Sequence, residues 1–163
     1  MTAPAPAAGY ALVAAHGGAG AGTVADLLAL VLGPGAAVEP DANAAAAFAD
    51  RPRQVLVLAR RNARGLSAAA EACARLQRHR PLLLLVADAP LRDPAVVAYR
   101  IEALRSRVPA VVGLPYLPAL RGADRAADLA EHPKVRAAAA RLAADLQRAR
   151  AGAPALPRSG ARR

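Results

Sequence analysis

Two hydrophobic rhythms alternate along this chain. Short, largely apolar runs at 10–15 (YALVAA), 54–59 (QVLVLA), 82–87 (LLLLVA) and 110–113 (AVVG) read as strands, and the continuous run 82–87 suits an interior strand covered on both sides. Helical spacing occupies the intervals. Leu66, Ala69, Cys73 and Leu76 share one face of a helix predicted over 66–78. Val97, Ile101, Leu104 and Val108 share a face of another, which Asp93 should open as N-cap with Pro94 in the first helical position. Val135, Ala139, Leu142 and Leu146 line a last helix over about 134–150, and a first one is expected over 23–32, stopped by Gly33-Pro34-Gly35. The pattern is weakest over 36–53, where the alanine run 44–47 offers a helical turn or two.

Strands alternating with helices of ten to seventeen residues predict an α/β fold of three layers. The expected sheet is mostly parallel, has about four strands and is joined by right-handed crossovers. The organisation expected is a flexible Pro/Ala-rich arm at 1–9, one domain at 10–150, and a basic disordered tail at 151–163 after the C-terminal helix. No internal repeat is visible. Such a sheet binds ligands beyond the carboxyl ends of its strands.

Composition narrows this picture only a little. At 163 residues the chain supplies one core, and with aromatics at 2% that core must be aliphatic. The single cysteine, Cys73, excludes an intramolecular disulfide and falls on an apolar helical stripe, as an inert core thiol would. No Cys/His cluster suggests a metal. No apolar run approaches the roughly 18 residues of a membrane span, and the first basic residue is Arg51, so neither a secretory leader nor a membrane role is expected. A cytoplasmic protein is the expectation. The net charge of +10 is lopsided, with residues 1–50 holding four acids and no Lys or Arg. A basic balance favours polyanion partners, although 21 arginines in an Ala/Gly/Pro-rich chain also match a high-GC codon bias.

The stretch around which the chain is organised is AAHGGAGAGTV, residues 14–24. Four glycines, Gly17, Gly18, Gly20 and Gly22, let the backbone wrap closely and turn amide N–H groups inward. The helix after them adds its positive N-terminal end, so the turn is suited to phosphate. A plain flexible strand–helix turn is the alternative.

HGGAGAGT, His16 to Thr23, resembles the KGGxGKTT deviant Walker A loop of the ParA/MinD-type P-loop ATPases. QVLVLARRNARGLSAAAEACARL is similar to a later strand, polar turn and helix of that family. VVGLPYLPAL resembles its late "lG-iPyDp" strand, with Leu117 in place of the aspartate. The chain also resembles small uncharacterised actinobacterial proteins with a "HGGAG-sT" opening and an "LVADAP" strand end. The likeness spans about residues 10–120. It implies a P-loop NTPase-like fold, a nucleotide such as ATP or GTP as ligand, and His16, Gly17, Gly18, Gly20, Ala21, Gly22 and Thr23 as the phosphate-binding residues.

Departures from the family pattern decide what activity to expect. His16 stands at the signature lysine, Ala21 at the catalytic lysine and Gly22 at the magnesium-binding hydroxyl, while Thr23 matches the second hydroxyl. Loss of the loop lysine removes a charge-assisted contact of about 1.5–3 kcal/mol, about ten- to a hundredfold in affinity. No apolar run between Thr23 and Arg60 is read as ending in Asp or Glu, so a Walker B acid is missing, and 33–53 is too short for the family's switch strands. Without metal and lysine the stabilisation behind phosphoryl transfer is absent. The expectation is a pseudo-NTPase with no catalytic residues and no metal site. It would bind a nucleotide weakly, or act through a protein partner or a homodimer.

Other residues carry open alternatives. His16 is a structural turn residue, a phosphate contact or a base, although no acid partner for it stands in the sequence. Arg60, Arg61 and Arg64, just past a strand end, are a solvated rim or an anion-binding replacement for the lysine. Asp88 is a base-reading residue, by the resemblance, or a turn cap. Gly20-Ala-Gly22-Thr-Val-Ala25 also satisfies the dinucleotide pattern G-x-G-x-x-G/A, with Glu39 near the distance of a ribose-binding acid, although 35–39 makes a poor second strand. Residues 134–163 hold eight basic residues and one acid, an alternative DNA-binding surface that lacks aromatics for stacking.

Overall fold

The computed structural model describes residues 9–39 and 53–152. All but the last residue of the expected arm at 1–9, the alanine run 44–47 and the tail beyond 152 lie outside the described residues. Strand β1 (Tyr10–Ala14) leads through the glycine loop into helix α1 (Ala21–Leu32) and a short β2 (Ala37–Val38). Then follow β3 (Gln54–Arg60), α2 (Ala63–Arg75), β4 (Leu82–Val86), α3 (Ala95–Arg105), β5 (Val111–Leu114) and α4 (Pro133–Gly152). Two 3₁₀ turns, Pro118–Gly122 and Ala126–Leu129, join β5 to α4.

The strands form one sheet in the order β2-β1-β3-β4-β5, with every pairing parallel. Alternation along β3 divides the core. Leu56 and Leu58 face α1 and α4, packing with Val24, Leu27, Val135 and Leu142. Val57 and Ala59 face α2 and α3, packing with Leu66, Cys73, Val97 and Ile101. This is why 55–59 and 82–87 are continuously apolar: both faces of each strand are covered.

The sheet has five strands where the sequence pattern suggests about four. The addition is β2, two residues paired as Tyr10↔Ala37 and Ala11↔Val38. Gly33 and Gly35, both in the left-handed region (φ 92° and 79°), turn the chain back after α1, and Tyr10 N–H then bonds Ala36 O at 2.7 Å. Two residues have no period to read, so the strand is silent in the sequence. Its consequence is local: Glu39 follows Val38 directly, so an apolar run between Thr23 and Arg60 does end in an acid, beside β1.

Three helix starts differ from the pattern. Helix α1 begins at Ala21 rather than Thr23, because its N-cap is Gly20 (φ 94°), which has no side chain to signal the cap. Helix α2 begins at Ala63 rather than 66, capped by Asn62 Oδ1 accepting Gly65 N–H at 2.8 Å. Asp93 is not the cap of α3. Pro94 takes that position, accepting Val97 and Ala98 N–H, while the Asp93 carboxylate is held by Arg61. Helix α4 continues to Gly152. Among the described residues no helix is long and apolar enough to cross a membrane.

Candidate functional site

In this strand order the direction of strand addition reverses between β1 and β3, and ligands of open α/β sheets bind at such a reversal, beyond the strand ends. The glycine loop lies there. Ala15 N–H extends the ladder to Leu58 O at 2.8 Å, and the Ala19 methyl, 1% exposed, anchors the loop in the core. Gly18 and Gly20 adopt left-handed φ of 76° and 94°, which alanine would resist at both positions. Val24 N–H makes the first helical bond to Gly20 O, so the amides of Ala21, Gly22 and Thr23 have no carbonyl within the helix.

A groove of about 660 Å³ borders this loop, and every residue from His16 to Thr23 lines it. It is also lined by Glu39 after β2 and by Asp124, Arg125 and Ala126 from the β5–α4 connection. That connection is pinned to α1. Asp26 accepts Arg125 Nη2–H at 2.7 Å and Ala127 N–H at 3.3 Å, and this contact pushes the Arg125 pKa up. The groove is therefore lined both by the glycine loop that opens α1 and by Asp26, Glu39, Asp124 and Arg125. Among the described residues no cluster of His, Cys, Asp and Glu could hold a metal ion.

The three arginines separate. Arg60 Nε–H donates to Gly18 O at 2.7 Å, so its side chain lies on the loop. Arg61 turns away, its Nε–H and Nη2–H gripping Asp93 at 2.6–2.9 Å. Arg64 is exposed in the first turn of α2 and makes no hydrogen bond or ion pair among the described residues. Asp88 accepts Asn62 Nδ2–H at 2.8 Å and lines a different cavity, of about 600 Å³, with Leu91, Arg92 and Val96. His16 does not point freely at a ligand: its Nε2 accepts the Arg60 backbone N–H, and its Nδ1–H donates to Gly17 O.

Comparison with known proteins returns nothing: no family model, no curated protein and no solved structure matches this chain. Geometry alone must carry the functional reading.

Sequence reasoning missed Asp26, Asp124 and Arg125, which lie about a hundred residues apart and leave no local signal. On α4, Arg136 pairs with Glu131 and Arg148 with Asp145, which offsets two of the cations a DNA contact would use. Ala21 is 8% exposed and Gly22 has open space over its Cα, so neither position supplies a cation or a hydroxyl to the groove.

Proposed function

We propose that this chain binds a nucleoside phosphate in the groove beside the glycine loop and leaves it unhydrolysed, as a degenerate P-loop protein of the ParA/MinD kind. One observation carries the reading: residues 16–23, which open α1, line the same groove as Glu39. Amides and helix dipole suit a phosphate. A carboxylate suits ribose hydroxyls and would repel a second phosphate. A ligand that satisfies both carries a phosphate and a sugar. With alanine and glycine at the positions of lysine and hydroxyl, binding proceeds without a metal and without turnover.

Calorimetric titration of the full chain with ATP, GTP and NAD, with and without magnesium, tests this. Binding should be independent of magnesium and lost in Gly22→Glu, which adds a carboxylate in open space at the helix end. Magnesium-dependent release of phosphate from ATP would overturn the pseudo-NTPase reading.

A second reading has its own support. The pairing of β2 with β1 sets Glu39 at a strand end next to the loop, as a dinucleotide site requires. Clear preference for NAD in the same titration would favour it.

A further inference from the structure

We infer that a second site, for a small oxyanion of phosphate-group size, lies between Arg61 and Arg141 on the far side of the sheet edge. A cavity of about 320 Å³ opens there, past the ends of β4 and β5, lined by Arg61, Gly113, Pro115, Arg141, Leu142 and Asp145. By the volume water occupies in the liquid it holds about ten molecules, enough for a phosphate group and a short substituent.

Arg61 is the wall between this cavity and the one containing Asp88. Asp93 takes its Nε–H and Nη2–H, which fixes the guanidinium plane and directs the remaining nitrogen, Nη1, the other way. Nη1 has no hydrogen-bond partner among the described residues and lies 3.6 Å from the point where a Cβ on Gly113 would stand. A glycine inside a strand costs stability and often marks a close approach. Here it leaves room beside Nη1. An arginine already ordered by a carboxylate loses little freedom when it binds an anion.

The second cation comes from α4. Arg141 is exposed and makes no ion pair or hydrogen bond among the described residues. Asp145 also lines the cavity, but its carboxylate is engaged by Arg148. With Arg61 offset by Asp93 and Asp145 by Arg148, the charge left over is that of Arg141, and it is positive. The glycine loop plays no part in this arrangement.

The test is a two-dimensional amide NMR titration of the full chain with inorganic phosphate, at ionic strength held constant with chloride. Saturable shifts are expected at the amides of Gly113 and Leu114 and of residues 138–145. They should persist in Gly22→Glu, which separates this site from the glycine groove. They should weaken at least about tenfold in Arg141→Ala, the loss expected for one charge-assisted contact. Gly113→Val, which fills the space beside Nη1, should abolish them, with thermal melts verifying that each variant is folded. No saturable shift, shifts confined to residues 16–23, or an unchanged affinity in Arg141→Ala would each overturn the proposal.

Discussion

His16 Nε2 accepts the backbone N–H of Arg60 at 3.1 Å, joining the turn after β1 to the last residue of β3 by a side chain that takes the place of a ladder bond. A backbone amide can only donate, so Nε2 is the unprotonated nitrogen, and Nδ1–H donates to Gly17 O at 2.8 Å. The histidine is thereby a brace for the loop, and Arg60 returns the favour through its own Nε–H to Gly18 O. His16→Ala leaves a partly buried amide unpaired and should cost about 1–2 kcal/mol. Hydrogen exchange would report it most directly: the Arg60 amide should exchange about tenfold faster or more. Unchanged protection of that amide would show that the brace carries no energy.

Gly65 sets how closely α2 approaches the site. A Cβ placed there would stand 2.1 Å from Arg60 O and 2.9 Å from Arg60 C, both main-chain atoms that cannot swing aside. Gly65→Ala must push the first turn of α2 away from β3, even though alanine is the better helix former by about 1 kcal/mol. Overpacking against backbone should prevail, at about 3 kcal/mol. Thermal unfolding followed by circular dichroism should show the midpoint fall by roughly 6–12 °C. A rise would mean that the helix has room it does not show here.

Cys73 ties stability to alkaline pH. It is 6% exposed between α2 and the sheet, and burial pushes its thiol up to about 11 from about 9. The folded state holds the proton more tightly than the unfolded one, so stability is fully present below about pH 9 and declines as pH rises toward 11. The buried phenol of Tyr10 is also raised, by burial, with Arg150 partly opposing, and acts in the same direction from about pH 10. Urea unfolding at pH 8 and pH 10.5 should show a smaller loss of stability in Cys73→Ala than in the parent chain. Equal losses would mean that the folded-state thiol ionises without penalty.

The strands at 54–59 and 82–87 are legible in the sequence because neighbours on both faces leave no polar position in 55–59 or 82–87. Helix α3 is legible through Val97, Ile101 and Leu104, all buried, whereas Val108, expected on the same face, is buried just beyond the helix end at Arg105. What escapes notice has a physical reason in each instance. Strand β2 is two residues long, below any period. The α1 cap is a glycine, whose contribution is a dihedral angle. Asp93 has the composition of a cap, but Arg61, thirty-two residues earlier, claims its carboxylate. The glycine turn itself could be read as an anion cradle, whereas the acids that close its groove could not. Asp26 and Arg125 meet across a separation of 99 residues, and Glu39 reaches the groove only because β2 pairs with β1. Local pattern reports elements, and the site is made by how they are ordered in the sheet.

Glu39 offers the sharpest test of what the groove is for, because two roles for its carboxylate predict opposite signs. If it accepts ribose hydroxyls, Glu39→Gln exchanges a charge-assisted bond for a neutral one, a difference of about 1 kcal/mol, and a nucleoside phosphate should bind about five- to tenfold more weakly. The same substitution removes a negative charge from a groove that already contains Asp124, so inorganic phosphate should bind the loop as well as before or better. The signature is therefore a crossing of affinities, with the nucleotide losing and the bare anion holding or gaining, measured by calorimetry on the two ligands in parallel. If both ligands gain, the carboxylate only repels, the sugar is not read at this position, and the dinucleotide reading loses its acid. If both lose, Glu39 supports the loop itself, and the groove is shaped by the carboxylate rather than read by it.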